Sequence, residues 1–228
     1  MIQEKNIYIN DDDYIIQKML STNWFEDTKK QYSNIIFENI KLHEHDDLTL
    51  LDIGSHLGLW TIRISERCKI FDIDFKGYLY EPSAKNVECL KKNVENINVE
   101  IYNNVVGSKD VYMSPSENEN MGSFDISEEG VKVKHKIPDH KMNGFKIIIL
   151  PCMSSDFNIL KLFEKTYLTQ KVLIVAQLIE KNLIKNNQNR KQVFDFMTDK
   201  KFKYKKYDLN FKHLDPHLEH TFFVFYNE

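Results

Sequence analysis

The sequence predicts a single α/β domain with a mostly parallel β-sheet, helices on both faces of the sheet and an antiparallel C-terminal strand. Short apolar segments alternate along the chain with segments whose apolar residues have helical spacing, as in a parallel sheet with crossover helices. Residues 48–53, 145–150 and 172–178 are continuously apolar, which is typical of central strands covered on both faces. Two further strand-like segments, 204–209 and 221–226, predict a closing hairpin-like pair.

The remaining elements follow from local patterns along the chain. Strands are expected at 48–53, 77–80, 99–106, 131–136, 145–150, 172–178, 204–209 and 221–226, with short strands within the loop 108–130. Helices are expected at 57–66, 84–96, 156–165 and 188–201, with Ser83 as the N-cap of the second. Residues 1–44 are polar with helix-like pieces, so we expect a short helical N-terminal extension before a domain at 45–228.

Composition and charge exclude several classes of protein. The 228 residues include 31 Lys+Arg and 34 Asp+Glu, a net charge of −3, which is not the basic excess of a dedicated nucleic-acid binder. Three widely spaced cysteines, Cys68, Cys89 and Cys152, give neither a disulfide framework nor a C-x-x-C pair for zinc. The sequence has no apolar stretch typical of a signal peptide or a membrane helix. We therefore expect a cytoplasmic protein with no metal and no membrane partner.

The most specific segment is Leu51–Gly58, LDIGSHLG, in which an apolar strand leads to an acid, two spaced glycines and then a helix. Glycines in such a turn allow the backbone to approach a ligand where a Cβ atom would collide. The spacing differs from G-x-G-x-x-G, which disfavours a dinucleotide site. Glu81 ends the next strand, where a carboxylate can accept both hydroxyls of a ribose. The alternative to a ligand site is that these residues form only a glycine turn and an exposed glutamate.

Two segments on either side of this turn carry a family resemblance. Leu50–Thr61 reads LLDIGSHLGLWT, and Leu79–Asn98 reads LYEPSAKNVECLKKNVENIN. They resemble the motifs D-[VI]-G-A-N-x-G-x-x-T and F-E-P-x-x-x-x-x-x-x-L-x-x-N-x-x-x-N of FkbM-type class I S-adenosylmethionine-dependent methyltransferases. Ser55 stands in place of the usual Ala, and His56 in place of the usual Asn. Val99–Gly107 resembles the strand that leads to the family's next turn.

The resemblance implies a Rossmann-like methyltransferase domain that binds S-adenosyl-L-methionine. It also implies transfer of the methyl group to a hydroxyl oxygen of a small-molecule or glycan-like substrate. The expected cofactor-binding residues are Asp52, Gly54, Ser55, His56, Gly58, Glu81, Pro82, Asn104 and Val105.

The end of the fourth strand departs from the family pattern K-I-D-x-E-G-x-E-x-x-x-L. Ile149–Lys161 reads ILPCMSSDFNILK, with Pro151 and Met153 in place of the first two acids and Asp156 as the remaining acid. The expected catalytic residues are therefore Asp156 and His56, as bases for a substrate hydroxyl. Asp156 has a second interpretation as an acid favoured in the first turn of a helix, and His56 as a loop residue packed beside the cofactor.

Two other functions stay open on this sequence. The replaced acids are consistent with a catalytically degenerate methyltransferase fold that acts as a binding protein. An RNA methyltransferase is the other possibility, because the segment 200–207, KKFKYKKY, interleaves lysines with aromatics in a way that would suit RNA binding. A solvated strand with one apolar face has the same pattern. A nucleic-acid partner is therefore not favoured, and the sequence leaves the oligomeric state open.

Overall fold

A computed structural model describes residues 2–4, 7–9, 31, 34–115, 124–127, 129–151, 156–208 and 221–227. In chain order its strands are β1 (Ile2–Glu4), β2 (Ile7–Ile9), β3 (Asp47–Ile53), β4 (Asp74–Tyr80), β5 (Val99–Tyr102), β6 (Val105–Val106), β7 (Val111–Pro115), β8 (Phe124–Ser127), β9 (Val131–Val133), β10 (His135–Lys136), β11 (Phe145–Leu150), β12 (Leu173–Ala176), β13 (Lys203–Asp208) and β14 (Thr221–Tyr226). Its helices are α1 (Leu59–Ile70), α2 (Ala84–Asn93), α3 (Asp156–Leu162), α4 (Glu180–Lys185) and α5 (Arg190–Asp199). Within these ranges, none of the helices has the length and apolarity to cross a membrane.

Seven strands form the central sheet, in the order β13–β14–β12–β11–β3–β4–β5. β14 is antiparallel to both of its neighbours, and all other neighbouring pairs in this sheet are parallel. The strand order reverses at β3, because β4 and β5 follow on one side while β11 and β12 lie on the other. In open α/β sheets, ligands bind beyond the carboxyl ends of the strands at such a reversal point. This architecture confirms the predicted α/β fold with its antiparallel strand at 221–226.

Both faces of the sheet are buried, which explains why its central strands are continuously apolar. The first face packs against α1 and residues 35–40, and its strand residues include Leu48, Leu50, Ile147, Ile149, Leu173, Val175, Phe222 and Val224. The second face packs against α3, α5 and residues 163–168, and its strand residues include Leu51, Ile53, Tyr80, Ile148, Leu150, Ile174, Ala176, Phe223 and Phe225. The two faces alternate along each strand, as the pleat requires.

Two predicted strands are divided in the structure. The predicted strand 99–106 separates into β5, which joins the central sheet, and β6, which pairs with β10 instead. Asn103 lies between them, and its Nδ2 donates to the carbonyl oxygens of Glu81 and Pro82, each at 2.9 Å. The predicted strand 131–136 is divided because β9 pairs with β7 while β10 pairs with β6. β8, β7 and β9 form a separate small sheet, in which the short strands of 108–130 take part.

The beginning of the chain differs from the predicted helical extension. β1 and β2 form an antiparallel pair, with Ile2 opposite Ile9. Ile7 and Ile9 point to the same side because side chains alternate along a strand, and both are buried with Leu57 and Cys89. Residues 34–37 are helical, within the predicted piece at 29–41. The predicted piece at 13–20 lies outside the described residues, and the domain boundary at residue 44 stays a prediction.

Candidate functional site

The β3–α1 loop, residues 54–58, lies where the strand order reverses. Three of its five residues have a positive φ angle, namely Gly54 at 75°, His56 at 50° and Gly58 at 83°. Glycine adopts this left-handed conformation without a steric penalty, whereas a residue with a Cβ atom pays about 1–2 kcal/mol. The conformation at His56 therefore has to be held by neighbouring groups.

Backbone hydrogen bonds attach the start of this loop to the end of β4. The N–H groups of Gly54 and Ser55 both donate to the carbonyl oxygen of Tyr80, at 2.8 and 3.0 Å. The hydroxyl of Ser55 donates to the carbonyl oxygen of Asp52 at 2.7 Å, and the N–H of Gly58 donates to the carbonyl oxygen of Ser55 at 2.7 Å. The buried Ser55 side chain thus closes the turn from within, and the loop is a compact unit.

Gly58 is required for helix packing as well as for the turn. It is the N-cap of α1, and a Cβ atom at this position would lie 2.7 Å from Leu90 Cδ1 and 3.0 Å from Val94 Cγ1. Both side chains come from the end of α2 and its C-cap. Its lack of a side chain allows close packing of α1 against α2, in addition to the turn.

Glu81 directly follows β4 and is only 4% exposed, so the interpretation of an exposed glutamate is wrong. Its Oε2 accepts from the N–H of His56 at 2.8 Å. Its Oε1 accepts from the N–H of Ser83 at 2.9 Å and from Nδ2 of Asn86 at 3.3 Å. Burial raises the pKa of the Glu81 carboxyl, while the neighbouring His56 and these hydrogen bonds oppose the rise. A carboxylate has about four acceptor positions, so Oε2 can accept one more donor.

Asp52 is fully buried near the end of β3, on the first face of the sheet. Its Oδ2 accepts from the hydroxyl of Thr61 at 2.7 Å, whereas no donor in the described part of the chain reaches Oδ1. Burial raises the pKa of Asp52 to about 7; the Thr61 hydrogen bond opposes the rise, and the charge of Glu81 adds to it. A buried acceptor without a donor costs about 1–3 kcal/mol. Asp52 Oδ1 is therefore an acceptor that a ligand donor would satisfy.

The other expected cofactor-binding residues lie beyond the carboxyl ends of β4 and β5. Pro82 is next to Glu81, and its carbonyl oxygen accepts from Asn103. The side-chain amide of Asn104 and the N–H of Val105 both donate to the carbonyl oxygen of Lys134, each at 3.1 Å. Pro82 is thus joined to Asn103 after β5, and Asn104 and Val105 are held against the segment before β10.

The two expected catalytic residues follow the ends of neighbouring strands. His56 lies in the β3–α1 loop after β3, and its N–H is bound by Glu81. Asp156 is the first residue of α3, a position that suits a first-turn acid. Pro151 directly follows β11, and residues 152–155, which connect it to α3, lie outside the described residues. The catalytic roles of His56 and Asp156 stay predictions.

Polar residues that sequence reasoning missed hold the site together. They are Thr61, Asn86, Asn93 and Asn103. Thr61 occupies the last position of the D-[VI]-G-A-N-x-G-x-x-T motif, so the motif itself was the signal. Asn93 likewise occupies the first Asn of the F-E-P-x-x-x-x-x-x-x-L-x-x-N-x-x-x-N motif, whereas Asn86 and Asn103 have no such signal. In none of the three does the sequence show which distant group the amide will reach.

In the part of the chain that the structure describes, no group of three or more His, Cys, Asp or Glu side chains is arranged to hold a metal ion. The absence of a metal requirement stays a prediction.

Comparisons with known proteins identify the fold. No protein-family model matches the sequence, and no curated protein matches it. The structure is similar to a Listeria monocytogenes protein assigned as a class I S-adenosylmethionine-dependent methyltransferase, with a TM-score of 0.52 and 9% identity over 89% of this chain and 59% of that chain. It is also similar to a Klebsiella pneumoniae protein assigned as an O-methyltransferase, with a TM-score of 0.50 and 12% identity over 94% and 90% of the two chains. The chain therefore has the fold of the class I S-adenosylmethionine-dependent methyltransferases.

Proposed function

We propose that this protein is an S-adenosylmethionine-dependent methyltransferase. The observation that carries the proposal is the pair of buried acids, Asp52 and Glu81, beside the β3–α1 loop at the reversal point of the sheet. Asp52 Oδ1 lacks a donor within the described residues, and Glu81 Oε2 can accept one more. S-adenosylmethionine offers an ammonium group and two ribose hydroxyls as donors, so its chemistry fits these acceptors.

The proposed mechanism needs orientation more than chemical catalysis from the chain. The bound cofactor would supply a methyl group on a sulfonium, which an acceptor oxygen attacks in line. Asp52 and Glu81 would bind and orient, while the β3–α1 loop presents its backbone to the ligand. Removal of the proton from the acceptor hydroxyl is assigned to Asp156 or His56, because Pro151 cannot accept a proton at the end of β11.

The proposed acceptor is a hydroxyl oxygen of a small or glycan-like molecule. Support for this substrate class comes from the resemblance of Leu50–Thr61 and Leu79–Asn98 to the FkbM-type motifs. A binding protein with a catalytically degenerate methyltransferase fold, which keeps the cofactor or only the scaffold, is the alternative favoured by Pro151, since the family pattern has an acid at that position.

Isothermal titration calorimetry with S-adenosylmethionine and S-adenosylhomocysteine tests the proposal. Glu81→Ala should weaken binding about 10- to 100-fold, because a hydrogen bond to a charged acceptor is worth about 1.5–3 kcal/mol. Glu100→Ala is the matched control, because Glu100 is an exposed carboxylate on β5 that accepts from Tyr102 and pairs with Lys76. Absence of binding to the wild-type protein would refute the proposed function. Equal affinities of the two variants would remove Glu81 from the site.

A turnover assay separates the enzyme from the binding protein. Wild-type protein with S-adenosylmethionine is incubated with glycan and small-alcohol acceptors, and formation of S-adenosylhomocysteine is measured. Cofactor binding without turnover on any acceptor would favour the binding-protein alternative. Turnover on RNA alone, with an affinity that falls steeply with salt, would favour an RNA methyltransferase.

A further inference from the structure

We infer that the N-terminal strand pair, β1 and β2, supports the β3–α1 loop of the proposed cofactor site, and that Asn93 is the positioning residue that joins β2 to this loop. The inference rests on the proposed function, and it adds a segment far from the loop in sequence. Its basis is a set of side-chain hydrogen bonds made by Asn93 and a small apolar cluster beside the loop.

The side chain of Asn93 connects three parts of the molecule. It lies in the last turn of α2, and its Oδ1 accepts from the N–H of Tyr8 in β2 at 2.6 Å. Its Nδ2 donates to the carbonyl oxygen of Tyr8 at 3.0 Å and to the carbonyl oxygen of Leu57 at 3.0 Å. An asparagine amide can make about four hydrogen bonds, and three are made here to backbone groups outside its own helix.

A separate apolar cluster places strand β2 against the same loop. Ile7, Ile9, Leu57 and Cys89 are all buried, and they form a cluster distinct from the cores on the two faces of the central sheet. The ring of Tyr8 also lies 4.9 Å from Nζ of Lys92 on α2. Strand β2 therefore packs with Leu57 of the loop and with Cys89 and Lys92 of α2.

The loop needs this support because of its backbone conformation. Leu57 lies between two residues with positive φ, His56 and Gly58. Glu81 holds the N–H of His56 from β4, and Asn93 holds the carbonyl oxygen of Leu57 from α2. Two neighbouring residues of this turn are thus held by two different elements of the structure. We expect the loss of either contact to release the conformation.

A loop that is not held in place has to be ordered when the ligand binds. The cost of that ordering lowers the apparent affinity in proportion to the fraction of molecules with the competent conformation. Asn93 need not touch the cofactor to change its affinity. We therefore expect variants of Asn93 to loosen the loop first and to weaken binding as a consequence.

The first measurement is amide hydrogen exchange of the ligand-free protein over the β3–α1 loop, compared between the wild type, Asn93→Ala and Asn93→Asp. Aspartate can still accept from Tyr8 but cannot donate to Leu57, so both variants should exchange about tenfold faster at the loop. Asn98→Ala is the matched control, because Asn98 also donates one bond to a distant backbone, the carbonyl oxygen of Phe75 at 3.0 Å. Its loop should exchange as in the wild type.

The second measurement is calorimetric titration with S-adenosylmethionine at a temperature at which all variants are folded by near-ultraviolet circular dichroism. Asn93→Ala should bind about tenfold more weakly than Asn98→Ala. Ile9→Ala probes strand β2 itself, and its effect should be smaller in the Asn93→Ala background than in the wild type, because the two residues act through one unit.

Unchanged exchange of the loop in both Asn93 variants would overturn the inference, whether or not the cofactor binds. Faster exchange together with an affinity equal to that of Asn98→Ala would also overturn it. Failure of the wild-type protein to bind the cofactor is a different result. It would refute the proposed function, and the exchange data would then still decide whether Asn93 positions the loop.

Discussion

Replacement of Asp52 by asparagine should remove the part of the pH dependence of the unfolding free energy that comes from ionisation of Asp52. Asp52 is fully buried, has one hydrogen bond from Thr61 and has a pKa raised to about 7, chiefly by burial. An asparagine has nearly the same shape and can still accept the Thr61 hydrogen bond, but it does not titrate. The pH profiles of the two proteins therefore differ by the ionisation of a single side chain.

The sign of the effect follows from proton binding in the two states. Between its ordinary pKa of 3.8 and about 7, Asp52 is ionised in the unfolded chain and protonated in the folded protein. Stability contributed by this group is therefore fully present below pH 3.8, falls as the pH rises, and is lost above about pH 7. The slope is about 1.4 kcal/mol per pH unit, and the whole window corresponds to about 4 kcal/mol.

Urea unfolding of both proteins at several values between about pH 5 and pH 8 measures this difference. The free energy of unfolding of the wild type, minus that of Asp52→Asn, should fall by about 3 kcal/mol over this range and then level off. The change of this difference with pH is the quantity to compare, and not the absolute stability of the variant. The side-chain amide of the new asparagine leaves an unsatisfied N–H, which adds a cost that does not depend on pH. Parallel profiles for the two proteins would refute the assignment of a raised pKa to Asp52.

The proposed function also predicts how the affinity for the cofactor depends on pH in these two proteins. A cofactor ammonium next to Asp52 would favour the ionised carboxylate, and so lower its pKa in the complex. Affinity of the wild type for S-adenosylmethionine should then increase as the pH rises from about 5 to 7, while that of Asp52→Asn should stay level. The same pH dependence in both proteins would place the ammonium away from Asp52.

The other predictions concern the turn, a helix cap, the acceptor base and metals. Gly58→Ala should lower the free energy of unfolding by about 1–3 kcal/mol, because alanine is strained at a φ of 83° and its Cβ would lie 2.7 Å from Leu90; a urea midpoint equal to that of the wild type would contradict this. Asn189→Ala should cost about 1 kcal/mol in the same assay, because it removes the capping box at the start of α5. Asp156→Asn should lower turnover at least about 100-fold if it is the general base, and a wild-type rate would leave it as a first-turn acid only. Affinity for the cofactor should be unchanged in excess chelator, whereas a loss of binding would reveal a metal.

The central sheet was predictable from the sequence because burial on both faces leaves a continuous apolar segment. The strand predicted at 145–150 is observed as Phe145–Leu150, with the same ends. The division of 99–106 was not predicted, although Asn103 and Asn104 at its centre are of a type that strands disfavour. The chain leaves the sheet there through a side-chain contact of Asn103, which a local pattern does not show. The strand pair Ile2–Glu4 and Ile7–Ile9 was missed because strands of three residues are too short for alternation to be recognised.

The candidate site was predictable only in part, and the reason is physical. Gly54, Gly58, Asp52 and Glu81 follow from rules that connect residue type to backbone conformation or charge. The contact of Asn93 with residues 8 and 57 depends on the relative placement of three elements, which a local pattern does not contain. The same limit explains why Glu81 was expected to face a ligand while its carboxylate also holds the loop.

The position of β14 has a consequence for the order in which the protein can assemble during synthesis. β14 follows β13 in the chain, yet it lies between β13 and β12 in the sheet. On a ribosome, β13 has no neighbour to pair with until β14 has emerged and inserted beside β12. The sequence of β14 is TFFVFY, which is buried along nearly its whole length in the folded sheet. Between its emergence and its insertion, β14 is therefore an apolar strand without a partner. The half of the sheet that carries the β3–α1 loop can form earlier, so we expect nascent chains to be most prone to aggregation before β14 inserts beside β12.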